Sequence, residues 1–213
     1  MDCNKNTMLL YAVTDRTWTG KETLYQQIEK ALKGGVTCVQ LREKNLDYDE
    51  FLAEAIEIKD LCKSYNVPLI INDNVEIAIK SGADGVHIGQ KDMEVSQARK
   101  LLGNNMILGV SARTVEQAVL AEKNGADYLG SGAVFGTTTK ADANALPLET
   151  FSEICKAVSI PVVAIGGVSK QNILKLTGLG ASGIAVVSAI FSANDIESEC
   201  KELHALAEQI ATK

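Results

Sequence analysis

Gly35-Val36-Thr37-Cys38-Val39-Gln40-Leu41-Arg42-Glu43-Lys44 decides the fold. A glycine suited to ending a helix leads into a short apolar run of strand length. The run then passes, with no turn residue between, into two cations. A strand that projects cations where the chain leaves the core is the expected edge of an α/β active site. The same shape returns downstream. Pro68–Ile71 runs into Asn72-Asp73-Asn74, Gly85–Gly89 into Gln90-Lys91-Asp92, and Val134-Phe135 into Gly136-Thr137-Thr138-Thr139-Lys140.

The leading glycine also repeats. Gly35-Val-Thr-Cys-Val, Gly82-Ala-Asp-Gly-Val, Gly125-Ala-Asp-Tyr-Leu and Gly180-Ala-Ser-Gly-Ile share one pattern. The period, 43–55 residues, has room for two strand–helix units. Apolar runs supply the alternate strands: Met8–Val13, Pro68–Ile71, Met106–Val110 and Ile160–Ile165. They are continuous rather than alternating, as strands buried on both faces are. Four periods make about eight βα units, so the expected fold is a TIM (β/α)8 barrel, one domain over 1–213. Capping boxes are expected at Thr19 with Glu22, Asp47 with Glu50 and Thr114 with Gln117. A last helix is expected over about 195–211.

Composition narrows the function. Hydrophobic residues make up 46% of the 213 and charged residues 23%, ordinary for a globular enzyme. The net charge of −6 argues against a nucleic-acid partner. Five scattered cysteines, with no CxxC, predict reduced thiols and no thiol nucleophile. Met1–Asn6 has no signal-peptide character, and the apolar stretch 180–191 is too short to span a membrane. A cytoplasmic enzyme acting on small molecules is expected. The sequence is compatible with a homo-oligomer and does not decide the point.

Several strand-end residues have two readings. Asp73 and Asp92 each suit a helix cap, Asp73 with Glu76 as a box. Set beside cations from other strands, the two carboxylates read better as Mg²⁺ ligands that share the ion with substrate phosphates. Arg42, Lys44 and Lys140 are solvated charges on one reading and phosphate ligands on the other; their place on the rim favours the second. His87 divides evenly between a core histidine and a contact to a substrate ring. Ala164–Val168 and Val186–Ile190 end the last two strands with glycine and backbone N–H groups suited to a phosphate. Thr114 is the better cap after strand five, which leaves Ser111 for a ligand.

In this order, Leu9–Asp15, Gln40–Lys44, Ile71-Asn72-Asp73, Val86–Asp92, Gly109-Val110-Ser111, Thr137–Lys140, Ile165-Gly166-Gly167 and Val187-Ser188 resemble the thiamine phosphate synthase (thiamine-phosphate pyrophosphorylase) family. The resemblance implies a transferase. It would join 4-amino-2-methyl-5-(diphosphooxymethyl)pyrimidine to a thiazole phosphate, carboxylated or decarboxylated, and release pyrophosphate by a Mg²⁺-assisted dissociative substitution. It implies that Gln40, Leu41, Arg42, Glu43, Lys44, Asn72, Ser111 and Lys140 hold the pyrimidine diphosphate, with Arg42, Lys44, Ser111 and Lys140 catalytic. It assigns Asp73 and Asp92 to the metal. Thr137, Thr138, Thr139, Gly167, Val187 and Ser188 go to the thiazole phosphate.

The chain departs from the family at Gly136, where proline is usual. Proline there is expected to be tolerated and to stiffen a mobile loop over 132–146. The alternatives are a thiazole tautomerase of the same barrel, a sugar-phosphate isomerase or epimerase, and a non-catalytic sensor of thiamine precursors. A tautomerase and a sensor can dispense with the leaving-group cations, and an isomerase wants a paired acid and base that the sequence does not show.

Overall fold

The computed structural model describes residues 3–4, 6–20, 22–136 and 145–211. Eight strands form a closed, all-parallel barrel in chain order: β1 (Leu10–Val13), β2 (Cys38–Leu41), β3 (Leu69–Asn72), β4 (Gly85–Ile88), β5 (Ile107–Ser111), β6 (Tyr128–Gly132), β7 (Val162–Ile165) and β8 (Gly183–Val186). β8 closes on β1, with Leu10 opposite Ile184 and Tyr11 opposite Ala185. Around it run α1 (Leu24–Lys33), α2 (Tyr48–Ser64), α3 (Val75–Lys80), α4 (Val95–Leu102), α5 (Val115–Lys123), α6 (Leu148–Ala157), the short α7 (Ser188–Phe191) and α8 (Ile196–Ala211). The connection from β7 to β8 carries only a 3₁₀ turn, Ile173–Leu176.

Strand alternation divides the core in two. Leu10, Ala12, Val39, Leu41, Leu69 and Ile71 face the helices. Tyr11, Val13, Cys38, Ile70, Tyr128 and Val163 fill the barrel. Both faces are buried, which is why the strands read as unbroken apolar runs.

The repeat has a physical cause. Each repeat glycine, at 35, 82, 125 and 180, has a positive φ between 68° and 96°, the left-handed position after a helix. Two residues later comes a polar side chain that clamps the neighbouring strand at the barrel's N-terminal end, its floor. The Leu10 N–H donates to Thr37 Oγ1 (2.9 Å), Leu69 to Asp84 Oδ2 (2.8 Å), Leu108 to Asp127 Oδ2 (2.7 Å) and Val162 to Ser182 Oγ (3.3 Å). In return the four clamp residues donate their own N–H to the same residues' carbonyls at 2.8–2.9 Å. Lys59 and Arg99 reach the two aspartates at 2.6 and 2.5 Å.

Two of the three expected capping boxes survive as simple caps, and the third is not a helix cap. Asp47 caps α2 and Thr114 caps α5, each accepting the expected N–H, but the Gln117 side-chain Oε1 takes the Arg113 N–H and not that of Thr114. Thr19 caps no helix start; it closes a 3₁₀ turn, Arg16–Trp18, and Glu22 pairs with Lys30. The reciprocal box is one turn later, Thr23 with Gln26, because Leu24, Ile28 and Leu32 form the buried stripe of α1. Asp73 is likewise not the cap of α3: Asn74 accepts the Ile77 N–H.

Candidate active site

The inward residues of successive strands end in a cavity of about 300 Å³ at the C-terminal mouth. Gln40, Arg42, Asn72, Asp73, His87 and Asp92 line it together with Ser111, Gly167, Val187 and Ser188. Ten of the positions singled out in the sequence are therefore brought to one hollow from six strand ends.

The others divide. Alternation along β2 sends Gln40 and Arg42 inward and their neighbours outward. Leu41 is fully buried between strand and helix. Glu43 turns back to Arg16, with Nε donating to Oε2 at 2.7 Å. Lys44 is on the rim, its Nζ donating to Asp73 Oδ2 at 2.6 Å. Thr137, Thr138, Thr139 and Lys140 lie outside the described residues, as does part of the loop over 132–146.

Three polar or charged cavity residues, Asp15, Arg113 and Tyr11, and the fully buried Tyr128 bonded to Tyr11 carry no role in the sequence reading. Asp15, two residues past β1, accepts from Arg42 Nη1 at 3.1 Å. Arg113, two past β5, donates to the Gly132 carbonyl at 2.8 Å. Tyr11 and Tyr128 form the bottom of the site. A hydrogen-bonded chain crosses the barrel there: Gln40 Nε2 donates to Tyr11 Oη (2.7 Å), which meets Tyr128 Oη (2.7 Å). Tyr128 Oη meets His87 Nδ1 (3.0 Å), and His87 Nε2 meets Ser111 Oγ (2.9 Å). Burial holds both phenols well above their ordinary pKa, so they stay protonated and can donate. Ser111 thus already has a partner, and His87 is at once a core residue and part of the cavity wall. The Tyr128 ring depends on Gly109, where a Cβ would fall 2.1 Å from Cζ.

Asp73 and Asp92 adjoin each other in the cavity wall. Burial pushes Asp73 up, but the Lys44 hydrogen bond and the adjoining Asp92 outweigh it and hold the carboxyl below the usual range. Asp92 is raised, by burial first and then by Asp73 beside it. Asp92 Oδ2 also accepts the Gly89 N–H at 2.7 Å, so it closes its own turn and not the start of α4. Two adjoining carboxylates are hard oxygen donors of the kind Mg²⁺ takes. Among the described residues no group of three or more His, Cys, Asp or Glu could hold a metal. Two carboxylates therefore suit an ion that draws its other ligands from water and phosphate.

On the opposite wall, Gly166 and Gly167 have φ of 93° and 70°. A Cβ at Gly167 would fall 2.0 Å from the Gly136 carbonyl oxygen, so only glycine lets these two loops meet. Gly136 itself has φ 72°. Proline needs φ near −65°, so the expectation that proline is tolerated at 136 is wrong for this backbone. Burial pushes the thiols of Cys3, Cys62, Cys155 and Cys200 up to about 12, and Cys38 well above its ordinary value, so none is poised as a nucleophile.

Known proteins resemble this chain in sequence and in fold. The family model described as thiamine monophosphate synthase matches residues 10–190. A thiamine-phosphate synthase of Ruminiclostridium cellulolyticum is 51% identical over 194 residues, 91% of this chain and 92% of that one. One from Clostridium acetobutylicum is 47% identical over 204 residues, 96% and 97% of the two chains. Among solved structures, the thiamine phosphate pyrophosphorylase of Pyrococcus furiosus superposes with a TM-score of 0.89 at 37% identity, over 97% of this chain and 98% of that one. A 3-hexulose-6-phosphate synthase, at 18% identity and a TM-score of 0.67, shares the fold.

Proposed function

This chain belongs to the thiamine monophosphate synthase family, and from that premise we infer how its barrel mouth carries out the reaction. The enzyme is a transferase that makes thiamine phosphate. It joins 4-amino-2-methyl-5-(diphosphooxymethyl)pyrimidine to a thiazole phosphate, carboxylated or decarboxylated, and releases pyrophosphate. The observation that carries the assignment of roles is the convergence of cations, paired carboxylates and a buried polar chain on one cavity.

The pyrimidine ring enters over Tyr11 and Tyr128, where Gln40, held by Tyr11, orients it. Its diphosphate extends to Arg42, Asn72, Lys44 and Ser111. Lys140 completes this set by the resemblance. Before substrate arrives, Arg42 rests on Asp15 and Lys44 on Asp73. Both cations exchange these carboxylates for phosphate oxygens. Asp73 and Asp92 would hold Mg²⁺, which when bound neutralises charge on the departing pyrophosphate.

The carbon–oxygen bond to the diphosphate breaks and its electron pair leaves with pyrophosphate. The aminopyrimidine carries the resulting positive charge. The thiazole nitrogen lone pair then forms the new carbon–nitrogen bond. No protein nucleophile is needed. The protein places charge where it develops and keeps water from the cation. The thiazole phosphate takes the wall of Gly167, Val187 and Ser188, with Thr137, Thr138 and Thr139 beside it by the resemblance. His87 fixes Ser111 and borders the ring.

The reaction site lies in one barrel domain, and the enzyme works in the cytoplasm. Among the described residues no helix is long and apolar enough to cross a membrane.

The test mixes both substrates with Mg²⁺ and follows pyrophosphate and thiamine phosphate together. One of each per turnover is expected, with no turnover in excess chelator and a raised Mg²⁺ requirement in Asp92→Asn. Pyrophosphate without thiamine phosphate, or neither, refutes the activity. Full turnover in chelator refutes the metal.

A further inference from the structure

Glu43 lies between two rim cations yet belongs to a different cluster. Its side chain is 2% exposed and faces the helix layer. Arg16, from the turn after β1, bridges it to Glu54 on α2: Nε donates to Glu43 Oε2 at 2.7 Å and Nη2 to Glu54 Oε1 at 2.6 Å. The remaining oxygens, Glu43 Oε1 and Glu54 Oε2, are buried and have no donor among the described residues. The same guanidinium holds both carboxyls, so the two acids sit side by side.

We propose that Glu54 is protonated beside Arg16 and donates that proton in a hydrogen bond to Glu43, and that this clamp is a positioning device that aims Arg42 and Lys44 into the mouth. Two ionised carboxylates can only accept, so neither orphan oxygen could satisfy the other. A proton on Glu54 makes it a donor to Glu43 and satisfies both. It also balances charge: one guanidinium, one carboxylate and one neutral acid in a half-buried site.

Burial, then the Glu43 charge, raises Glu54 to about 7, and Arg16 opposes them. Glu43 and Arg16 are the charged groups that bear on it.

The connection to the mouth is direct. Consecutive Asp15-Arg16 pairs with consecutive Arg42-Glu43, charge against opposite charge, so the two loops form a two-rung zip. One rung is the clamp, and the other is a cation of the proposed diphosphate site. If the clamp opens, the end of β2 loses its anchor on the helix side, and Arg42 and Lys44 lose their aim. The role given to Arg42 rests on the function proposed above; the proton on Glu54 does not.

The experiment compares the wild type with Glu54→Gln and Glu54→Ala. The folded value of Glu54 lies above its ordinary 4.5. Its stabilisation is therefore complete below about pH 4.5 and is lost as pH rises through about 7. The side-chain amide introduced by Glu54→Gln donates to Glu43 at every pH. The unfolding temperature of wild type should fall relative to Glu54→Gln between about pH 4.5 and 7 and run parallel to it above. Superimposable curves would overturn the proton on Glu54.

In kinetics at pH 6.5, Glu54→Ala should raise the KM for the pyrimidine diphosphate about five- to tenfold, with kcat and the thiazole phosphate KM within about twofold. Glu54→Gln should restore the wild-type KM. An unchanged KM in Glu54→Ala, or an equal loss in both variants, would overturn the positioning role. If Glu54→Ala does not fold, the wild-type KM above pH 7 decides. It should climb while that of Glu54→Gln stays level, and parallel profiles would overturn the role. A wild type with no synthase activity would defeat the functional reading while leaving the unfolding comparison intact.

Discussion

At the floor of the barrel four segments do one thing, whereas at the mouth the strand ends each do something different. Thr37, Asp84, Asp127 and Ser182 all clamp the strand before their own, by the same pair of hydrogen bonds. At the other end β2 finishes in a cation, β3 in an amide followed by a carboxylate, and β5 in a serine tied to His87. A repeated device serves closure, because each clamp solves the same problem of fixing where a strand begins. A varied rim serves chemistry, because the substrates have no fourfold symmetry. Loss of a floor residue should therefore cost stability and spare catalysis, and loss of a mouth residue the reverse.

The sharpest way to break this contrast is at Arg42. Its pair with Asp15 is largely shielded from water, but Asp15 keeps its Thr17 hydrogen bonds without Arg42, so the cost to folding is about 1 kcal/mol. Its contribution to the departing pyrophosphate is much larger. Arg42→Ala should slow single-turnover formation of thiamine phosphate by about 100- to 1000-fold, with little change in unfolding temperature. A wild-type single-turnover rate would remove Arg42 from the chemistry.

Gly109→Ala probes the boundary between the two regions. The added methyl collides with the Tyr128 ring. Overpacking of this kind costs about 1–3 kcal/mol. It should also displace Tyr128 from His87, so stability by denaturant titration and kcat should fall together. A stable variant with normal kcat would show that the buried chain does not support the site.

Asp127→Ala tests the floor. It leaves the buried Leu108 N–H without its side-chain acceptor and Arg99 without its carboxylate. A loss of about 1–3 kcal/mol is expected in denaturant unfolding, with kcat unchanged at a temperature where the variant is folded. Thr37→Val removes a neutral hydroxyl that accepts from the Leu10 N–H and donates to the Leu10 carbonyl, and should cost about 1 kcal/mol, again without loss of kcat. A kcat defect in either folded variant would mean that floor and mouth are coupled.

The same contrast explains what the sequence reveals. The floor is legible because it repeats: a helix-ending glycine and a polar residue two places on recur every 43–55 residues, and the recurrences count the strands. The mouth is legible only by position, as polar residues just past strands. That signal finds Gln40, Arg42, Asn72, Asp73, Ser111 and Asp92. It carries no side-chain direction, so the motif around Arg42 reads as one block although Leu41 and Glu43 turn away from the cavity. Counting in twos along β2 would have separated them. Thr19 and Thr23 each precede a Glu or Gln by three residues, and only the buried stripe of α1 chooses between them. The Tyr11–Tyr128 contact joins residues 117 positions apart and has no local signature. Asp15 and Arg113 follow strands by two residues, but nothing in one sequence separates them from solvated charges.

The most direct test of the account is the binding of pyrophosphate, one of its products, measured calorimetrically with Mg²⁺ on folded wild type, Arg42→Ala and Asp127→Ala. The account predicts that Arg42→Ala weakens binding by about 10- to 100-fold, the value of a hydrogen bond to a charged group, and that Asp127→Ala binds like wild type. Wild-type affinity in Arg42→Ala, or lost affinity in folded Asp127→Ala, would contradict the division between floor and mouth.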